Sequence, residues 1–244
     1  LRVLDDRDMP AVLDLLDSDP VSNVFVASRV DAAGLSSDRL GAQLWGFGRG
    51  SRPTALCYAG ANLVPIGADD AALRGFSEFA ARQGRRCSSI VGPSHMVERL
   101  WAGLEGAWGP ARELRMCQPL MVTTQVPTEG IDTSVRRVRP NELELLLPAS
   151  IAMFTEEVGV SPIAGDGGAL YRARVRELIS AGRAFARFDG DRVVFKAEVG
   201  AATKGVCQLQ GVWVEPSLRG RGLSVSGMAA VVHAMPSAQA EANV

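Results

Sequence analysis

The chain has 244 residues, a formal net charge of −1, 47% hydrophobic and 22% charged residues, a balance that excludes a disordered polypeptide and allows one large domain or two of ordinary size. Basic and acidic side chains are matched in both halves, which argues against nucleic acid as a partner. No apolar run reaches the length of a membrane span, and no basic segment with an apolar core opens the chain, so a cytoplasmic protein with no membrane partner is expected.

Cys57, Cys87, Cys117 and Cys207 are widely spaced, and only His95 and His233 could assist them. No metal site is expected, and the cysteines read as buried, reduced thiols. The first residue is Leu1 rather than Met, as in a trimmed chain or a fragment.

In the first half, apolar spacing predicts helices over 8–16 and 21–33, strands over 43–47 and 55–59, and a helix over 69–82 with Leu73, Phe76, Phe79 and Ala80 on one face. The stretch 48–53 has hairpin-loop chemistry. A strand is expected over 87–91 and a helix from Ser94 to Leu104. A last strand is expected over 114–122, placed at an edge by Pro119. Trp101, Leu104 and Trp108 read as core packing; Asn62 and His95 are weak pocket candidates.

Residues 123–134 are polar, broken by Pro and Gly, and read as a linker. It separates an N-terminal α/β accessory domain, 1–122, from a second domain, 135–244. The second opens with a strand over 135–139, a helix starting at Pro140 and kinked at Pro148, and a loop over 159–168. A helix over 169–181 follows, with Leu170, Val175, Leu178 and Ile179 inward. Strands are expected over 184–188, 193–199 and 206–214, the first two joined at Asp189-Gly190 by a hairpin. After Pro216 comes Arg219-Gly220-Arg221-Gly222-Leu223-Ser224, then a helix with Val225, Met228, Ala229 and Val232 as its stripe. The glycines allow close backbone approach, the helix start offers free amides, and the arginines add charge; together they suit a phosphate or pyrophosphate.

This stretch resembles motif A of the GNAT acetyltransferase superfamily, with Arg219, Gly222 and Ser224 at the signature positions. Ser224 departs from the usual Gly or Ala, but it is small and a favoured N-cap. The two-part layout resembles an actinobacterial group of that superfamily carrying an extra N-terminal domain. The resemblance implies an α+β fold with a mixed, mostly antiparallel sheet flanked by helices. The first half has a loosely similar element order and reads as a degenerate copy, with no loop matching motif A. The resemblance further implies an N-acetyltransferase that moves an acetyl group from acetyl-CoA to an amine acceptor. The amides of the Arg219–Ser224 loop would hold the pyrophosphate, and the strand residues Val212, Trp213 and Val214 would face the pantetheine arm and the thioester. Beyond His233 the family pattern continues with further strands, whereas this sequence ends in a small-residue polar tail, so the second domain reads as C-terminally truncated.

Glu198, on the strand beside motif A, is the first candidate general base, expected to be shifted upward by apolar neighbours. Its alternative reading is an ion pair with Lys196. Glu157, with Glu156, is the second candidate, bordering the acceptor site. Gln208 and Gln210 are candidates for orienting a water, and Trp213 doubles as a packing residue. The competing readings are a catalytically impaired acetyl-CoA-binding or regulatory protein and, further off, a nucleic-acid module using Arg219 and Arg221. A homodimer is among the open assemblies, and the amine acceptor is unidentified.

Overall fold

A computed structural model of the chain describes residues 1–48, 52–164 and 167–235. The fold is α+β and divides into two compact units, Leu1–Val122 and Thr123–Val244. The centre of the 48–53 loop, part of the 159–168 loop and the tail from 236 onward lie outside the described residues.

The first unit runs β1 (Arg2–Val3), α1 (Met9–Asp17), α2 (Val24–Ala33), α3 (Ser37–Leu40), β2 (Gln43–Phe47), β3 (Ala55–Ala59), β4 (Asn62–Ile66), α4 (Asp70–Gln83), β5 (Ser89–Ile90), α5 (Ser94–Ala102) and α6 (Glu105–Trp108). Its strands pair in chain order, antiparallel except for the parallel pair β4–β5. Strand alternation divides the core. Leu44, Leu56, Tyr58, Val64 and Ile66 meet α1 and α2 on one face, and Trp45, Cys57 and Leu63 meet α4 and α5 on the other.

The second unit runs β6 (Arg136–Arg137), α7 (Leu143–Val158), α8 (Ala169–Ser180), β7 (Ala184–Asp189), β8 (Arg192–Ala202), β9 (Cys207–Val214) and α9 (Leu223–His233). Its antiparallel sheet again pairs in chain order. Helices α7 and α8 cover the face carrying Ala184, Ala186 and Trp213, and α9 covers the face carrying Phe185, Phe195, Ala197 and Val199. Both units therefore begin with the same sequence of elements: a short strand, helices, three antiparallel strands, then a helix on the opposite face.

Most expected elements are present, but several readings are corrected. Residues 114–122 form no strand; Leu114, Met116, Leu120, Met121 and Val122 are exposed, and no strand among the described residues pairs with them. Pro119 removes one ladder donor from that segment. Strand β4 was missed because Pro65 argues against a strand. The N–H of Val91 donates to the Leu63 carbonyl (3.0 Å), so Leu63 and, by alternation, Pro65 face β5, whose pairing ends at Leu63. The absent Pro65 N–H thus faces no acceptor in the ladder. β1 and α3 were missed as well, and the strands expected over 87–91 and 135–139 shrink to two residues each.

Leu170 is 80% exposed, because the buried stripe of α8 follows Tyr171, Val175, Leu178 and Ile179. On α9, Val225 is exposed and the buried residues are Gly227, Ala230 and Val231. The smallest residues face the sheet because the helix lies close to it: a Cβ on Gly227 would stand 2.6–2.7 Å from ring carbons of Phe195. Cys57 and Cys87 are buried as expected, whereas Cys117 and Cys207 are exposed. Helix α7 continues through Pro148. In the β7–β8 hairpin, Asp189 pairs with Arg192, so Gly190-Asp191 form the loop and Gly190 takes φ 58°. Among the described residues no helix is long and apolar enough to cross a membrane.

Two expectations follow from this packing. Gly227→Val forces branched atoms into a buried ring and should destabilise the second unit by about 2 kcal/mol in urea unfolding. The second concerns Glu142, which accepts both Arg136 guanidinium nitrogens (2.7 and 2.8 Å) and the Arg139 N–H (2.8 Å). The Arg136 contact holds its carboxyl down at about 2, against 4.5 ordinarily. A depressed carboxylate adds stability above its unfolded value and loses it as the pH falls toward the folded one. Unfolding between pH 4.5 and 2 should therefore be less steep in Glu142→Gln than in the wild type.

Candidate functional site

The site is built on β9, the outer strand of the second sheet. It pairs with β8 only, and among the described residues nothing pairs with its other edge. The Glu215 N–H donates to the Val194 carbonyl (3.0 Å), so alternation turns the N–H and C=O of Val214 away from β8. Consistently, the Val214 carbonyl accepts from Arg219 Nε (2.9 Å) on that side.

The ladder is irregular at two places, around Gly200 of β8 and, opposite Ala197, at a bulge of β9. Lys196 faces Trp213 and Glu198 faces Gln210, so Gly211 and Val212 share the place opposite Ala197. Gly211 takes φ 58°, which a side chain rarely adopts. On the α7–α8 face, Lys196 Nζ donates to the Gly211 carbonyl (2.9 Å) and to Glu198 Oε2 (3.3 Å), while Gln210 Nε2 donates to Glu198 Oε1 (3.1 Å). Lys196 is 1% exposed. Burial pushes its ammonium below the ordinary value, with Glu198 opposing the shift.

Below β9, a 3-10 turn over Pro216–Leu218 leads to Arg219, Gly220, Arg221 and Gly222, and then into α9. Gly220 and Gly222 take φ 75° and 77°, and a Cβ on either would meet nothing within 4 Å. The amides of Gly220, Arg221, Gly222, Leu223 and Ser224 find no acceptor among the described residues. The cap of α9 is Gly222 with no side-chain bond, so Ser224 lies inside the first turn and is not the N-cap expected from its residue type.

Arg219 is engaged. Its NH2 group donates to Glu156 Oε2 (2.7 Å), and Glu156 Oε1 accepts from Trp213 Nε1 (3.2 Å). Arg219, then Trp213, hold the Glu156 carboxyl below its ordinary value. Helix α7 is thereby tied to β9 and to the loop. Trp213 is buried and, by the same alternation, its backbone N–H and C=O face β8, whereas Val212 is exposed. Arg221 is exposed and, with Leu223, Leu218, Ser134 and Arg187, lines an open cavity of about 360 Å³.

Glu198 is not the isolated carboxylate expected among apolar neighbours; the ion pair with Lys196 is what forms. The charge of Glu157 reaches both Lys196 and Tyr171. Tyr171, which sequence reasoning passed over, donates from its hydroxyl to the Ser150 carbonyl (2.8 Å). Burial, followed by Glu198 and Glu157, pushes its phenol upward. Its only signal in the sequence was its place on the apolar stripe of α8. Gln208 leaves a buried Oε1 without a partner among the described residues. In the first unit, Asn62 Oδ1 accepts from Ser89 Oγ (2.7 Å) and His95 is exposed on α5; neither lines the cavity beside Arg221.

Residues 42–146 match the model of a Domain of unknown function (DUF4081). A search of curated proteins finds no match. The chain is similar to a Drosophila protein solved by X-ray crystallography as a structural-genomics target, with 15% sequence identity, a TM-score of 0.54, and coverage of 96% of this chain and 84% of that one. At that identity the likeness concerns the fold alone.

The Glu156 junction is open to test. Glu156→Ala removes the acceptor of both Trp213 and Arg219. It should cost about 1 kcal/mol, because the pair is partly exposed, and should displace the Trp213 indole N–H resonance in an NMR spectrum.

Proposed function

We propose that the second unit binds acetyl-CoA and transfers its acetyl group to an amine. The observation that carries this reading is the run of unpaired amides from Gly220 to Ser224 at the start of α9, directly below an open strand edge. A helix start with free N–H groups favours an anion, and glycines without side-chain obstruction let a pyrophosphate approach the backbone. Arg221 is the cation positioned for that anion. Arg219 serves as a strap from Val214 to Glu156 and holds the loop in shape.

In this reading the pantetheine arm lies along the open edge of β9, and a backbone N–H from Val212 to Val214 polarises the thioester carbonyl. The neutral amine attacks that carbon; a C–N bond forms and the C–S bond breaks. The proton lost from nitrogen is taken by a base and handed on to the departing sulfur, so that coenzyme A leaves as the thiol. With Glu198 paired to Lys196, Glu157 is the carboxylate that gives the adjacent face an attraction for a cationic acceptor. A second reading, binding without turnover, has its own support: Lys196 and Gln210 occupy both oxygens of Glu198, and Trp213 and Arg219 occupy those of Glu156.

Thermal unfolding of the wild type in acetyl-CoA tests the binding step. At roughly 100 times the dissociation constant, the ligand should add about 2.7 kcal/mol. Arg221→Glu, whose side chain is exposed and outside the core, should abolish that shift and leave the unliganded midpoint unchanged. A wild-type protein that shows no shift would overturn the proposal. A shift without thiol release across a panel of amines would select binding without turnover.

A further inference from the structure

We propose that Lys196 is the positioning residue of this site: its buried ammonium fixes the β9 bulge by holding the Gly211 carbonyl inward, and so sets the direction in which the Val212–Val214 edge faces. The argument starts from the cost of the group. An ammonium with 1% exposure is retained in a sheet only where partners replace its water. Lys196 has Gly211 O at 2.9 Å and Glu198 Oε2 at 3.3 Å.

The first of these contacts is specific to the bulge. Gly211 and Val212 together face Ala197, and a regular ladder would have one residue there. The surrounding residues are shaped to this arrangement. A Cβ on Gly211 would stand 3.0–3.1 Å from Glu198 and Lys196 Nζ, and one on Gly200 would stand 2.1–2.6 Å from the amide of Gln210. Lys196, Glu198 and Gly200 alternate on a single face of β8. The two glycines leave room for the side chains that tie the bulge from both sides. The charged groups facing Lys196 are Glu198 from its own strand and Glu157 from α7, with the Tyr171 phenol contributed by α8 near both carboxylates.

The consequence for acetyl-CoA rests on the function proposed above; the consequence for the backbone does not. Lys196→Met keeps the length of the side chain and removes its donors, but it leaves Glu198 buried without its cation. The double variant Lys196→Met/Glu198→Leu removes both charges, and such replacements are often neutral or stabilising. In both variants, cross-strand NMR contacts should show the bulge lost, with Glu198 or Leu at that position facing Gly211 instead of Gln210. In the double variant, acetyl-CoA affinity should fall about tenfold or more, equivalent to ~1.4 kcal/mol, while thermal stability is undiminished. A residue with only a structural role would not produce that separation. Retention of the wild-type register in either variant overturns the proposal, as does unchanged affinity in a double variant whose bulge is lost. If the wild type itself does not bind acetyl-CoA, the functional reading fails and the register comparison alone decides the role of Lys196.

Discussion

A single buried charge constrains the second unit. The Lys196 ammonium sits in an inner strand of a sheet covered by helices on both faces, where an unpaired cation would cost several kcal/mol. Its partners therefore have to be in place whenever the sheet is formed. Glu198 follows two residues along the strand, and the Gly211 carbonyl reaches it only because β9 departs from regular pairing. Gln210, lying across Gly200, completes the shell around the carboxylate. The opposite face of β8 is apolar and carries Phe195, against which Gly227 lets α9 settle. One strand thus joins a polar network on one side to close helix packing on the other, and the loop between β9 and α9 inherits its position from both.

The two units make an informative pair because they share an element order and differ where that order meets chemistry. In the first unit, the helix after the third antiparallel strand is α4, and the carboxylate of Asp69 accepts from the Ala72 N–H (2.8 Å). A negative side chain occupies the position an incoming anion would need. In the second unit the corresponding helix is α9, capped by Gly222 with its first amides unpaired and two arginines nearby. The same backbone plan therefore presents opposite electrostatics at the same topological place. Under the proposal above, the contrast favours the second unit as the place for an anion, because in the first unit the helix end is already satisfied by Asp69.

Where residue type and spacing determine local structure, the sequence was readable: α1, α4, α7, α8, β2, β3 and the three long strands of the second unit all lie close to their expected positions. What escaped depended on neighbours. Pro65 is compatible with β4 only because β5 stops short of it, and sequence does not reveal where a partner strand ends. The face of α9 was misjudged because Val225 and Val232 outweigh Gly227 on any hydrophobicity pattern, whereas close approach to Phe195 selects for the smallest residue. The Arg219–Ser224 loop was legible as a turn into a helix because its glycines and arginines are consecutive residues. Engagement of Arg219 by Glu156 joins residues on different elements, and the Lys196–Gly211 contact spans a register irregularity. Neither follows from spacing. Glu198 illustrates the limit: its period-two relation to Lys196 was visible, but not which of the two readings the fold would adopt.

The pairing order also bears on how each half assembles in time. The strands β7, β8 and β9 are consecutive, so their hairpins close short loops at small entropic cost. The strand that completes the sheet is different. Arg136 of β6 pairs with Ala186 only after the chain has laid down α7 and α8, and Arg2 of β1 likewise pairs with Gly46 across three helices. Each unit thus has a meander able to nucleate locally and a two-residue strand that closes a long ring for little contact in return. Loop-closure entropy therefore favours the meander as the nucleus and makes the opening strand of each unit the one expected to join last and leave first.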